Sequence, residues 1–410
     1  MTKETMKDSG IEWIGKIPQD WSVQKLKYVT RFGYGESLSD EKRIEGDVKV
    51  YGSNGVVGTN QTAITKGKTI IVGRKGSYGK IQLSSAPCFP IDTTFYIDKT
   101  QTHHELRWLY YVLQTLNLDT GSQDSTVPGL SREHAYNQIV TVPMGDEEGR
   151  IASFLDSKTS TIDHAIEQKR KLINLLKEKR TTIINRAVTR GLDEDVELVD
   201  SDVEWIGRVP KGWKMRKIAQ SFNLIGSGST PASGNEAFYE DGEINWIITG
   251  DLNDGTIYEA SKKITKEAFA SSSALKMYPR GTLLIAMYGA TIGKVALIDI
   301  PACTNQACCA LGESPYFENK FVYYWFLNNR KNIVDIYSYG SGQPNISQDT
   351  IKRLHIPAPS RDEQKKVIAF LDSKMDAIDQ LISKVEHSIE LLSEYRTSLI
   401  SHVVTGKVEV

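Results

Sequence analysis

The chain is short of three things: cysteine, long apolar runs and an excess of charge of either sign. Its four cysteines, Cys88, Cys303, Cys308 and Cys309, show no CxxC spacing and no neighbouring histidine. This argues against a zinc site and leaves reduced, mostly buried thiols. The most apolar long stretch, Thr282 to Ala302, is interrupted by Lys294 and Asp299 and reads as strands, not a membrane span. No basic start leads into an apolar segment near the N-terminus, so no signal peptide is expected. A cytoplasmic protein without a membrane partner is the expectation. Hydrophobic residues at 40 % and charged residues at 25 % suit ordinary globular domains.

Catalytic signatures are missing as well. There is no NPPY- or DPPY-type tetrapeptide, no HExxH and no recognisable metal spacing of carboxylates. The segment RFGYG, Arg31 to Gly35, lacks the glycine spacing of an AdoMet loop. The net charge of −1 is not the strongly basic balance usual for nucleic-acid binding. The charge is patterned, however. Thr65 to Lys80 holds Lys66, Lys68, Arg74, Lys75 and Lys80 and no acid, and Leu275 to Lys294 holds Lys276, Arg280 and Lys294 and no acid. A near-neutral total therefore does not exclude a local basic face.

What the chain does contain is a large internal repeat. IEWIGKIP (Ile11 to Pro18) returns as VEWIGRVP (Val203 to Pro210), an offset of 192 positions. Asp8-Ser9 matches Asp200-Ser201, and Trp21 matches Trp213. IASFLDSK from Ile151 returns as VIAFLDSK from Val367, an offset of 216, so about 24 extra residues lie between the phrases in the second half. Two long units follow, each with a shared start, a divergent middle and a shared end.

The shared ends predict long helices. Leu155, Ile162, Lys169, Leu176 and Ile183 form one heptad row, matched by Leu371, Ile378, Val385, Leu392 and Leu399. Between them lie Ile151, Ala165 and Leu172, and Val367, Leu381 and Tyr395. Such a seam is the coiled-coil signature. Neither proline nor glycine occurs from Ile151 to Val188 or from Val367 to Val404. Ser360 with Glu363 reads as a capping box, and Gly191 and Gly406 stand where helices stop. Each helix would run ~60 Å. The simplest packing is antiparallel, one helix on the other. The resulting fold class is α+β: two β-rich domains, joined by two long helices packed as an antiparallel coiled coil, with a pseudo-two-fold internal repeat. The boundaries read as 1–145, 146–190 (first helix), 191–200 (linker), 201–359 and 360–405 (second helix).

The middles carry short β-like runs and glycine-rich turns, such as TIIVGRKGSYGKIQL (Thr69 to Leu83) and TLLIAMYGATIGKVALI (Thr282 to Ile298). Both contain a Gly–Lys loop. The Walker A spacing, GxxxxGK followed by Ser or Thr, is not met: five and three residues separate the glycines, and Ile81 and Val295 follow. Nucleotide binding is rejected. The plain reading is a tight turn that needs glycine for positive φ. The functional reading is an exposed turn that brings Arg74, Lys75, Tyr78 and Lys80 to a DNA groove.

The doubled EWIG(K/R)(I/V)P…W opening, the two variable middles and the doubled FLDSK…ID helices after P…DEQ together resemble the specificity (S) subunit of type I restriction–modification systems. The resemblance covers essentially the whole chain. It implies a non-catalytic DNA-reading subunit. Each target-recognition domain would read one half of a bipartite, asymmetric site in double-stranded DNA, and the paired helices would set the spacing. Half-sites ~34 Å apart, one helical turn, fit that geometry. Two modification (methyltransferase) subunits would dock on the helices and methylate adenine after base flipping. Restriction/translocase subunits would join them. AdoMet would belong to the modification subunit and ATP/Mg to the restriction subunit, with no cofactor on this chain.

Candidate DNA-binding residues are chosen for turn position and for hydrogen-bonding or basic chemistry. They are Ser53, Asn54, Arg74, Lys75, Ser77, Tyr78 and Lys80 in the first half, and Ser229, Thr230, Thr249, Tyr288, Thr291, Lys294, Gln343 and Asn345 in the second. Arg pairs with guanine and Asn or Gln with adenine, while Lys suits phosphate. Trp13 and Trp205 read as hinge packing between domain and helices. Two other readings stay open: an enzyme on an unfamiliar motif, and a DNA-independent scaffold built on the helices. Neither explains why the middles diverge while the ends stay alike.

Overall fold

The structure is a computed structural model, and it describes residues 6–120, 129–338 and 345–410. The chain forms two compact units, Met1–Lys171 with Val385–Val410, and Leu172–Lys384.

In the first unit, the apolar run Thr69–Gly73 is a central strand, buried at every position. Successive side chains alternate between faces. Ile70 and Val72 join the main core with Phe95 and Trp108, and Ile71 joins Tyr51 and Cys88 on the other side. The strand order of its sheet is Gly33–Tyr34, Thr94–Ile97, Thr69–Gly73, Ile81–Ser84, all antiparallel. A second sheet pairs Val48–Gly52 antiparallel with Gly55–Asn60 and parallel with Phe89–Pro90. The helix Leu106–Gln114 buries Leu106, Trp108, Leu109, Tyr111, Val112 and Leu113 in the main core.

The second unit repeats the plan. Its main sheet runs Ile225–Ser227, Cys308–Leu311, Leu283–Ala286, Val295–Ile298, Thr256–Ile257. Leu283 and Ile285 face the core under the helix Asn319–Tyr337, while Leu284 and Ala286 face the opposite cluster. Ile244–Ile247 pairs parallel with Cys303–Thr304, as Val48–Gly52 does with Phe89–Pro90.

The shared ends are helices Glu147–Arg190 and Arg361–Val404, each with parts in both units. Within the first unit Arg396 reaches Asp163 at 2.8 Å and Arg150 reaches the Val410 carbonyl at 3.2 Å, which sets an antiparallel course. Within the second unit Arg180 reaches Asp379 at 3.3 Å, and the Gly191 that ends the first helix faces Glu363, again antiparallel. Of the first row, Leu155, Ile162, Leu371, Ile378 and Leu399 are buried as expected, while Lys169, Leu176, Ile183, Val385 and Leu392 are half-buried. The companion row starts inward, with Ile151 and Val367 buried and Ala165 half-buried, but does not stay there. Leu172, Leu381 and Tyr395 are exposed, and Ile166, Ile173 and Met375 are buried instead. An α-helix of 3.6 residues per turn drifts against a 3.5-residue repeat, so a row that starts inward rotates out.

The doubled phrases are joints. Trp21 Nε1 donates to Glu147 at 2.6 Å, and Trp213 Nε1 donates to Glu363 at 3.0 Å, each tying a domain opening to the start of a long helix. The Ser360 hydroxyl accepts from the Glu363 amide at 3.2 Å, but the Glu363 carboxylate is engaged by Trp213, so only half of the predicted capping box forms. The aspartate of FLDSK anchors the domain helix. Asp156 accepts from Arg107 at 2.7 Å and Tyr111 at 2.8 Å, and Asp372 accepts from Lys320 at 2.7 Å and Tyr324 at 2.6 Å. Burial, with the neighbouring carboxylate adding to it, pushes both phenols up, so they stay protonated donors. Trp205 and Trp13 depart from the hinge reading. Trp205 lies against Trp325, with its Nε1 donating to Tyr337 at 3.0 Å inside its own domain, while Trp13 is 52 % exposed. The second domain's helix extends to Tyr337 and offers a partner; the first domain's helix ends at Gln114.

Candidate nucleic-acid interface

The two Gly–Lys loops close through equivalent backbone bonds, the second loop being one residue longer and holding a 3-10 turn at Gly289–Thr291. In the first, Gly73 N–H donates to Lys80 O at 2.8 Å and Gly79 N–H to Gly73 O at 2.9 Å. In the second, Ala286 N–H donates to Lys294 O at 2.8 Å and Gly293 N–H to Ala286 O at 2.9 Å. Gly76 and Gly79, and Gly289 and Gly293, hold φ near +70° to +80°, which only glycine adopts readily.

Four further segments converge on each turn. The parallel strand pairs send two chains off the same sheet end: Ser53 with Asp92–Thr93 in the first unit, Ile248–Thr249 with Asn305–Gln306 in the second. A glycine packs below them. A Cβ on Gly35 would overlap the Ile91 carbonyl, and one on Gly228 would overlap the Thr304 carbonyl. Finally, Gly129 bridges to Lys75 and Asn345 bridges to Tyr288. Leu130 N–H then donates to Arg74 O at 2.9 Å and Ile346 N–H to Met287 O at 2.8 Å. Ser131 and Ser347 cap the short helices that follow.

The side chains differ. In the first unit Ser53 is buried, its hydroxyl donating to Thr93 O at 2.6 Å. Lys80 reaches Asn54 at 2.6 Å, both exposed at the rim, and Lys75 is exposed. Arg74 donates to Asp92 O at 3.0 Å and lies 5.3 Å from the Tyr34 ring. Ser77 stays half-buried in the turn. Tyr78, expected to project, packs its ring against the core.

In the second unit Thr230 donates to Gln306 Oε1 at 2.6 Å, and the Tyr288 hydroxyl to Gln306 O at 2.9 Å. The Ser229 carbonyl accepts from Trp246 Nε1 at 3.1 Å. The Asn345 Oδ1 is buried with no partner among the described residues. Thr249 sits where the strand Ile244–Ile247 leaves its sheet, and Thr291 and Lys294 close the turn. Arg330 backs this turn, donating to Gly293 O at 3.0 Å while paired with Asp254. Gln343 lies outside the described residues.

The structure thus gathers Ser53, Asn54, Arg74, Lys75, Ser77 and Lys80 at one turn, where the Tyr78 ring turns inward, and Ser229, Thr230, Thr249, Tyr288, Thr291, Lys294 and Asn345 at its counterpart. Reading the sequence missed Tyr34, Gln306 and Arg330. Tyr34 and Gln306 belong to segments distant in sequence from the turns. Arg330 lies on a helix that reads as core. No cluster of His, Cys, Asp or Glu among the described residues is arranged to hold a metal ion. Among the described residues no helix is long and apolar enough to cross a membrane. The buried thiols are poor nucleophiles: burial pushes Cys88 up, and Cys303 up to about 12.

This doubled arrangement defines a class of protein. A family profile described as "Type I restriction modification DNA specificity domain" matches residues 18–176 and again 210–391. The chain belongs to that family. The type I restriction enzyme MjaIX specificity subunit of Methanocaldococcus jannaschii is 31 % identical over 202 residues, 48 % of this chain and 45 % of that protein, so about half of each is matched. The type I restriction enzyme EcoR124I/EcoR124II specificity subunit of Escherichia coli is 24 % identical over 377 residues, covering 82 % of this chain and 86 % of that protein. A solved chain from work on complex assembly and conformational transition of the type I R-M system has a TM-score of 0.73 at 14 % identity, over 96 % of this chain and 99 % of that one. That likeness establishes a shared fold.

Proposed function

We propose that the chain is the DNA-reading subunit of a type I restriction–modification complex. Each turn, with the segments that converge on it, reads one half of a bipartite, asymmetric site. The carrying observation is that two turns with matching backbone hydrogen bonds present different side chains. One scaffold with two chemistries suits two unlike half-sites. Arginine, lysine and asparagine at the first, and tyrosine, glutamine and asparagine at the second, are donors and acceptors suited to base edges and phosphates.

The chain itself catalyses no step and binds no cofactor. Modification subunits bring AdoMet and methylate adenine in each half-site; restriction subunits bring ATP and magnesium. Two modification subunits match another doubled feature. Phe154 with Lys158 5.6 Å from its ring, and Phe370 with Lys374 5.7 Å from its ring, form equivalent surface pairs on the two long helices. The complex works in the cytoplasm, where its DNA is. The test is genome-wide adenine methylation with the gene present or deleted beside its modification subunit. Loss of one bipartite motif on deletion supports the reading. Methylation unchanged on deletion, with a purified complex that binds no DNA, favours the scaffold.

A further inference from the structure

Beside the first turn lies a guanidinium that the DNA-reading assignment above leaves out. Arg132 follows the capping Ser131 and is exposed. Its guanidinium sits 5.3 Å from the Tyr34 ring and 5.8 Å from the Tyr136 ring. Among the described residues it is engaged in no hydrogen bond or ion pair, so its planar fork of N–H donors is free. Both rings are fixed. The Tyr136 hydroxyl accepts from Phe32 N–H at 2.8 Å, and the Tyr34 ring packs edge-on against Phe95 at 5.0 Å, with Arg74 5.3 Å from it as well.

A long side chain on a surface normally loses rotamer freedom when it binds. Here the two rings already restrict Arg132, so less is lost. A guanidinium held against aromatic rings keeps its donor edge available, and that edge matches the O6 and N7 acceptors of guanine. Arg74 is less free, because it is bonded to the Asp92 carbonyl. Lys75 and Lys80 are flexible point charges better suited to phosphate. The repeat supplies a second observation. At the 216-residue offset, the residue after the capping Ser347 is Gln348, so this position holds arginine in one unit and glutamine in the other. Those two side chains pair bidentately with guanine and adenine respectively.

We propose that Arg132 is a specificity-determining residue of the first half-site and contacts a guanine, with Tyr34 and Tyr136 as its positioning residues. This rests on the DNA-reading function above. The test uses the full chain with its modification subunits. Arg132→Lys and Arg132→Gln are assayed for methylated motif and for affinity on the cognate site and on single-base variants of it. Both variants are expected to lose about 10- to 100-fold in affinity and to relax one position of the first half-site. Arg132→Gln should shift that position toward adenine. An unchanged second half-site reports that the chain is folded. Tyr34→Leu should weaken binding less and keep the motif. If Arg132→Lys keeps both motif and affinity, the residue meets a phosphate or nothing, and the proposal is overturned. If the wild-type complex methylates no bipartite motif, the DNA-reading function fails and this inference fails with it.

Discussion

The two Gly–Lys turns close through the same backbone bonds and then part in chemistry. The first is backed by main chain at Leu118–Asp119, against which Gly79 packs, and is basic: Lys75 and Lys80 stand at its surface, with Arg74 and Arg132 beside Tyr34. The second is backed by a paired arginine, Arg330 with Asp254, and presents hydroxyl and amide groups around Gln306. Backbone closure is a scaffold property, because glycine φ and carbonyl acceptors do not depend on neighbouring side chains. Recognition chemistry is free to change on top of it. The first half-site should therefore be held with more electrostatic attraction, and the second with more hydrogen-bond geometry.

The sharpest way to break this comparison is at the shared scaffold. Gly35→Ala and Gly228→Ala each force a Cβ into a carbonyl, Ile91 in one unit and Thr304 in the other. Each should destabilise its own unit by about 3 kcal/mol, as overpacking against rigid backbone does. Calorimetry should show one transition lowered and the other unmoved.

The next effect separates the two chemistries. Arg74→Ala should weaken binding by about 1–3 kcal/mol if it grips a guanine, and relax the first half-site only. Lys75→Ala and Lys80→Ala should each lower the slope of log affinity against log salt by about 1, whatever the sequence. Titrations at several salt concentrations check this. Lys294→Ala, on the half-buried side of the second turn, should change the slope less.

Smaller still is the joint. Asp156→Ala removes the acceptor of Arg107 and Tyr111, and Asp372→Ala that of Lys320 and Tyr324. Both carboxylates are partly exposed, so solvent screening reduces the loss to about 1 kcal/mol. Denaturant titration of the two variants should give similar values, since the joint is repeated. Least of all should change under alkylation. The four thiols are buried, so the folded chain should react with iodoacetamide at pH 8 only after denaturant is added.

Much of this was legible because the repeat is written in restricted residues. Trp21, Trp213, Asp156 and Asp372 recur at fixed spacing, and each proves to be a joint between a domain and a long helix. The heptad rows were legible only in part. Leu155 and Leu371 are buried, but Leu172 and Leu381 rotate to the surface, because a seven-residue count overstates the regularity of a straight helix. At the site, glycine spacing marked the turns. It did not reveal which distant residues the sheets bring to them. Tyr34 is placed by pairing of Gly33–Tyr34 with Phe95–Tyr96, and Gln306 by parallel pairing of Cys303–Thr304, neither of which leaves a local pattern. Side-chain direction was also hidden: Tyr78 looked like a reader beside Lys80 and packs inward.

The central claim is that the two domains read independently. Exchanging residues 1–145 for the corresponding segment of another specificity subunit, followed by sequencing of methylated adenines, tests it most directly. The account predicts a new motif in which one half has changed and the other has not. Change in both halves, or in neither while methylation persists, would contradict it.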